Sequence, residues 1–118
     1  MLLLTPKTLC PGYELDDVKE DYAASRKAGQ YRISRRAFYL PAFPGTRYIP
    51  FKAVTRAVLR NAGLPISGCC GRELPVVKLH LDYAGGSGDY VIDPVSQSDT
   101  AADMLHNSDP RINFEDRR

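Results

Sequence analysis

The middle of this sequence contains no acidic residue. Between Tyr22 and Arg72 there are ten lysine or arginine residues and no aspartate or glutamate. The ends have the opposite bias, because residues 1–21 hold two basic and five acidic residues and residues 73–118 hold four and nine. The net charge of +2 therefore conceals a segregated distribution. Such a basic segment predicts contact with an anionic partner, unless the acidic ends neutralise it within the monomer or across a dimer.

Cysteine is scarce. The three cysteines are Cys10 and the adjacent pair Cys69 and Cys70. An odd number with an adjacent pair does not fit a disulfide framework and indicates a reducing compartment. Adjacent cysteines also lack the two-residue gap that lets a loop present both sulfurs to zinc, so no metal site is predicted. A small enzyme using one of these thiols, or the His80 and Asp82 pair, is an alternative function for which no catalytic arrangement can be named.

Long hydrophobic runs are absent as well. Residues 1–4 are apolar but too few for the core of a secretory signal, and no window approaches the about 18 apolar residues of a membrane span. These absences predict a cytosolic protein without a transmembrane segment. The 118 residues, 43% apolar and 25% charged, suit a single globular domain, with residues 1–12 as an N-terminal arm and residues 108–118 as a peripheral tail.

Two segments have the pattern of helices. Residues 13–28 predict a surface helix, since acids crowd the first turn, bases occupy the last and Gly29 follows as a stop signal. The apolar stripe of this segment is thin, so only one side of it can touch a core. Near the C-terminus, Ser96 or Ser98 can cap a short helix for which Asn107 is a left-handed end.

Other segments predict strands. Residues 31–40 alternate with period two, and residues 46–51 begin a second strand after a proline-rich turn. Residues 74–83 have the clearest alternation, and a glycine-rich turn returns the chain over residues 90–93. Residues 54–61 fit two periods: the local signals favour a helix, but the same residues also alternate as a half-buried strand.

Residues 48–51 have the sequence YIPF and are followed by Val54. A further predicted hairpin and a closing helix come after them in the chain. In this respect residues 35 to 106 resemble small bacterial domains of the pleckstrin-homology-like or GRAM-like type. The resemblance implies that residues 54–61 are a strand. We therefore expect an α+β domain: an antiparallel sheet of four to six strands curled toward a half barrel, with an N-terminal surface helix and a short C-terminal helix. Domains of this type serve as binding and scaffolding modules, and the fold does not supply the ligand.

Seven basic residues of the acid-free segment are candidates for a phosphate-binding face. Guanidinium groups bind phosphate oxygens in pairs, and neighbouring strands can place several of them together. Adjacent residues in a strand point to opposite faces, so only part of the set can converge. The candidates are Arg32, Arg35, Arg36, Arg47, Lys52, Arg56 and Arg60.

The sequence thus predicts a non-catalytic binding or scaffolding module of bacterial type, with no cofactor. Its basic face would meet an acidic protein surface, an anionic small molecule or a lipid headgroup, and a homodimer is compatible with this prediction. A nucleic-acid-binding domain is the alternative, because Tyr31, Tyr39 and Tyr48 are interleaved with arginines as in a base-stacking platform. A solvated basic face without a specific ligand is the simplest alternative.

Overall fold

A computed structural model describes residues 5–42, 45–65, 73–93 and 95–118. The strands are β1 (Lys7–Thr8), β2 (Arg26–Ala28), β3 (Tyr31–Ile33), β4 (Ala37–Pro41), β5 (Thr46–Pro50), β6 (Val54–Pro65), β7 (Glu73–Tyr83), β8 (Gly86–Ile92) and β9 (Asn113–Arg117). The α-helices are α1 (Val18–Ala23) and α2 (Ser98–His106). The predicted α+β class is therefore confirmed. Within the described ranges, no helix has the length and apolar character needed to cross a membrane.

The strands form two sheets, whereas the sequence predicted one. The first sheet has the order β1-β5-β4-β3-β2, and the second has the order β8-β7-β6-β9. Pairing is antiparallel in both, except that β1 runs parallel to β5 and β9 runs parallel to β6. Both sheets are open within the part of the chain that is described. A closed barrel is therefore not formed by these strands.

Side chains from both sheets meet in one core. Phe38 and Ile49 from the first sheet and Leu59, Leu79 and Leu81 from the second are buried in the same cluster. Helix α2 completes this cluster, because it contacts β2 and β3 of the first sheet and β9 of the second. Each large side chain buried in this way contributes roughly 1.5–3 kcal/mol of transfer free energy, so the cluster is the main source of stability.

Helix α1 and the residues before it cover the opposite face of the first sheet. Leu15 and Val18 pack against Tyr39 and Tyr48, and Tyr22 packs at the border of this smaller cluster. The rings of Tyr22 and Tyr39 meet edge to face with centroids 5.0 Å apart. The backbone N–H of Leu15 donates to the Tyr48 hydroxyl over 2.9 Å. The part of the first sheet around Tyr39 and Tyr48 is therefore apolar on both faces.

The N-terminal helix was predicted over residues 13–28, and both of the predicted ends are wrong. The helix occupies only Val18–Ala23, and the basic residues expected in its last turn belong to strand β2. Strand β2 pairs antiparallel with β3, and Ala28, the last residue of β2, is fully buried. A thin apolar stripe gives a long helix little to bury, whereas the hairpin with β3 places Ala28 in the main core.

The predicted strand over residues 31–40 is divided by a turn. The Ser34 hydroxyl accepts hydrogen bonds from the backbone N–H groups of Arg36 and Ala37, each over 3.0 Å. Such a side-chain to backbone bond offers the chain a turn in place of a continued ladder. Strands β3 and β4 are therefore the two arms of a hairpin, with Arg35 and Arg36 at its tip.

Local signals also favoured a helix over residues 54–61, and that prediction is wrong. Strand β6 runs through these residues and has neighbours on both sides, β7 and β9. Ala57 and Leu59 point into the core and are fully buried, as expected for alternate residues of a central strand. The strand implied by the family resemblance is what the structure shows here.

Residues 108–118 were predicted to be a peripheral tail, but Asn113–Arg117 form β9 and complete the second sheet. A parallel partner more than fifty residues away has no local signal in the sequence, which explains the error. Residues 43 and 44 of the proline-rich turn and the loop over residues 66–72, with Cys69 and Cys70, lie outside the described residues.

Candidate anion-binding face

One face of the second sheet is covered by charged side chains. In β6, Arg56, Val58 and Arg60 alternate with the buried Ala57 and Leu59, so the first three point away from the core. The residues paired with them on β7, β8 and β9 point the same way. We call this surface the charged face. Its members are Arg56, Val58, Arg60, Lys78, His80, Asp82, Ser87, Asp89, Val91, Asn113, Glu115 and Arg117.

The register places three cations side by side on this face. Arg60 pairs with Lys78 on β7 and with Arg117 on β9. Neighbouring strands lie about 4.8 Å apart, so the three side chains leave the sheet as one row. We call these residues the cationic row. Directly opposed like charges destabilise a sheet, and the row is therefore a place where an anion would be stabilising.

Ion pairs on the charged face leave part of this row without a carboxylate. Glu115 pairs with Arg117 over 2.6 Å and with Arg56 over 3.7 Å. The ion pairs found in the described ranges include neither Arg60 nor Lys78. The positive charge of these two side chains is therefore available to a ligand.

The adjacent row contains a histidine held by two carboxylates. His80 Nδ1 lies 2.9 Å from an oxygen of Asp89, and Nε2 lies 2.9 Å from an oxygen of Asp82. The hydrogen bond with Asp89 raises the pKa of His80, the bond with Asp82 adds to the effect, and burial opposes it. Protonation of the ring would bring a further positive charge next to the cationic row.

A shallow cavity of about 310 Å³ lies over these residues. Its walls are Arg56, Val58, Arg60, His80, Asp89 and Arg117. Val58 forms the floor and is only 5% exposed, although it points outward. The long side chains beside it cover it with their methylene groups. Arg60 and Arg117 of the cationic row thus stand on one side of the cavity, whereas Asp89 lies one row away, so a compact anion fits at the cationic side.

The seven basic residues predicted from the sequence do not converge. Arg56 and Arg60 lie on the charged face, where only Arg60 belongs to the cationic row. Arg32 lies on the first sheet and donates to the hydroxyl and carbonyl oxygens of Ser25 over 2.8 and 2.5 Å. Arg47 is exposed on β5, where it pairs with Lys7. The structure thus divides these four among three places.

The other three predicted residues lie together, away from the charged face. Arg35, Arg36 and Lys52 line a cavity of about 290 Å³. Arg36 forms an ion pair with Asp17, and Lys52 donates to the backbone oxygen of Glu14 over 3.2 Å. Acidic and backbone groups of the N-terminal segment therefore already engage two of the three, which makes this cluster a weaker candidate.

Two residues of the cationic row lie outside the acid-free segment. Lys78 shares a strand face with His80 and Asp82, and the alternation of residues 74–83 predicts that placement. Arg117 had no comparable signal, because it joins the row only through the parallel pairing of β9. The stacking platform predicted for nucleic acid is not formed, since Tyr39 and Tyr48 are only 1% and 2% exposed.

A scan against protein-family models, a search of curated proteins and a search of solved structures each found no match to this chain. The resemblance to pleckstrin-homology-like domains therefore stays a prediction.

Proposed function

We propose that this protein is a non-catalytic binding module whose charged face binds a phosphorylated ligand. The observation that carries the proposal is the cationic row, in which Arg60 and Lys78 oppose each other without a carboxylate partner among the described ion pairs. A phosphate between the two would replace mutual repulsion by charge-assisted hydrogen bonds. Arg117 is close enough in the register to add a second guanidinium group.

The distribution of acids favours a compact anion over an extended one. Asp89 and Glu115 lie one row away from the cationic row, on opposite sides of Val58 and His80. Rows on one face of a sheet are about 7 Å apart, so an acidic protein surface or a nucleic-acid backbone laid along the sheet would meet these carboxylates. A phosphate group held over the row would avoid them.

The wider setting belongs to the same proposal. The strand over residues 54–61, which the pleckstrin-homology-like resemblance implied, supports a half barrel of that type, and a cytoplasmic location is proposed with it. Scarce cysteine in the sequence supports a reducing compartment.

Thermal unfolding with inositol hexakisphosphate as the probe tests the proposal. We expect saturating probe to raise the melting temperature by a few degrees at low salt, and less at high salt because surface charges are then screened. The double variant Arg60→Ser with Lys78→Ser should lose most of this shift. The matched control is Lys7→Ser with Arg47→Ser, which removes the same charge from two exposed residues of the first sheet.

Three outcomes would contradict the proposal. The first is the absence of any shift in the unaltered protein, and the second is a control variant that loses as much of the shift as the double variant does. A hexaglutamate peptide that binds as tightly as the probe, and through the same two residues, would instead indicate an acidic protein partner.

A further inference from the structure

The first sheet opens between two of its strands. The ladder that joins β3 and β4 ends at Arg32 and Tyr39. Beyond this pair, β3 stays with β2 as far as Tyr31, and β4 stays with β5 as far as Pro41. The two strands therefore separate, and a cavity of about 370 Å³ lies at the separation. We call this cavity the strand fork.

Two opposed cations stand at the strand fork. Lys27 on β2 pairs with Arg32 on β3, and both residues line the cavity. The Arg32 guanidinium is fixed by its two hydrogen bonds to Ser25 and lies 5.6 Å from the centre of the Tyr22 ring. The ion pairs of the described residues include neither cation. An anion between them would offset a direct like-charge repulsion.

The remaining walls supply apolar surface and hydrogen-bonding groups. Leu40 and Pro41 are apolar, whereas Gln30 and Thr46 carry polar side chains. Tyr31 remains paired with Ala28 on β2 and Leu40 with Arg47 on β5, so the polar side chains of the walls, rather than these peptide groups, are the groups open to a ligand. The volume lies within the about 300–1,000 Å³ that is usual for small-molecule sites. This mixture distinguishes the strand fork from the flatter charged face.

We infer that the strand fork is a second ligand site, which takes a small organic anion with an apolar or aromatic body. The carboxylate or phosphate group of the ligand lies between Lys27 and Arg32, and its body rests on Pro41, which is on the same face of the sheet. The inference is independent of the proposed function, because the two sites are on different sheets and share no residue.

Backbone amide NMR shifts during titration with phenyl phosphate and with benzoate provide the test. We expect both probes to shift the amides of Tyr31, Arg32 and Leu40 in a saturable way. Inorganic phosphate, which has no apolar body, and benzyl alcohol, which has no charge, should each shift them much less. Positive results with both anions would show that the site reads charge next to an apolar group; the stronger binder would identify the preferred head group.

Substitutions at exposed positions complete the experiment. Lys27→Ser should weaken both probes by up to about fivefold, which corresponds to the upper end, about 1 kcal/mol, of the range for exposed ion pairs. Lys19→Ser on α1 is the matched control, because Lys19 is also exposed and does not line the cavity. Equal weakening in both variants, absence of saturable shifts, or shifts confined to Arg60 and Lys78 would each overturn the inference.

Discussion

The two sheets use their outer faces in opposite ways. The outer face of the first sheet carries Tyr39 and Tyr48, and the N-terminal segment with α1 buries both. The outer face of the second sheet carries alternating charges on its two central strands, and no helix of the described chain lies over it. In both sheets successive side chains point to opposite faces, so the difference comes from which side chains occupy the outer positions. An apolar outer row needs a cover, whereas a charged one must stay in contact with water or a ligand.

The largest difference should appear when one residue of each outer face is shortened to alanine. Tyr48→Ala removes a buried ring and the hydroxyl that accepts from Leu15, so we expect a loss of about 3–5 kcal/mol in the free energy of unfolding. Lys78→Ala on the charged face should change it by less than about 0.5 kcal/mol. Urea denaturation measures both. A loss below about 1 kcal/mol for Tyr48→Ala would show that α1 does not seal the first sheet.

A smaller effect should follow from removing one hydroxyl beneath α1. Tyr39 donates to the carboxylate of Asp21, which also accepts from Ser34. Burial, with help from the bond to Asp21, raises the pKa of Tyr39, so its hydroxyl remains a donor at all ordinary pH values. Tyr39→Phe should therefore cost about 1–2 kcal/mol of unfolding free energy.

Tyr31→Phe is the control for that measurement. The Tyr31 hydroxyl accepts an exposed hydrogen bond from Gln30, and its loss should cost less than about 0.5 kcal/mol. If both phenylalanine variants lose the same unfolding free energy, the hydrogen bond from Tyr39 to Asp21 contributes no more than the exposed bond at Tyr31.

The comparison also shows what the sequence could reveal. The alternation of residues 74–83 correctly predicted strand β7, in which Lys78, His80 and Asp82 share one face. Residues 54–61 misled the local analysis because Ala57 and Val58 are consecutive and both buried, one by the core and one by its long neighbours. Two consecutive buried residues imitate the apolar stripe of a helix.

The candidate site was harder to predict than the fold class. Seven basic residues share one acid-free segment of the sequence, but that segment contributes strands to both sheets and turns between them. Basic residues that are close together in the sequence are therefore not close together on the surface. The cationic row instead joins β6, β7 and β9, and the partnership with β9 depends on a pairing across the whole C-terminal half.

A third prediction concerns repulsion within the cationic row when no ligand is bound. Arg60→Gln should raise the free energy of unfolding by about 0.2–0.5 kcal/mol at low salt, because it relieves the contact with Lys78 and Arg117. The gain should vanish at high salt, where the repulsion is screened. Arg56→Gln is the control and should give no gain, since Arg56 has Glu115 as a partner. A loss of stability with Arg60→Gln would contradict the repulsion and remove the main support for an anion site.

A further expected effect is a dependence on pH in the row next to the cationic row. Bonds to Asp89 and then Asp82 raise the pKa of His80 in the folded protein above its value of about 6.5 in an unfolded chain. The protonated ring therefore stabilises the fold fully below pH 6.5 or so, and this contribution is lost as the pH rises through the folded-state pKa. The free energy lost by His80→Gln should accordingly be larger at pH 5.5 than at pH 9, by less than about 1 kcal/mol.

The two carboxylates can be separated by NMR titration of the His80 ring. Asp89→Asn should lower the pKa of His80 more than Asp82→Asn does, because the bond to Asp89 is the larger cause of the shift. Lys78 and Arg60 lie one row away from His80 in the register. Because a positive charge disfavours protonation of a nearby ring, we expect Arg60→Gln to raise the pKa of His80 instead. If the acidic substitutions lower the pKa of His80 and Arg60→Gln raises it, the protonation of His80 depends both on its carboxylate partners and on the cationic row. If all three substitutions left the titration unchanged, the histidine would be electrically separate from the cationic row, and its protonation would have no bearing on an anion bound there.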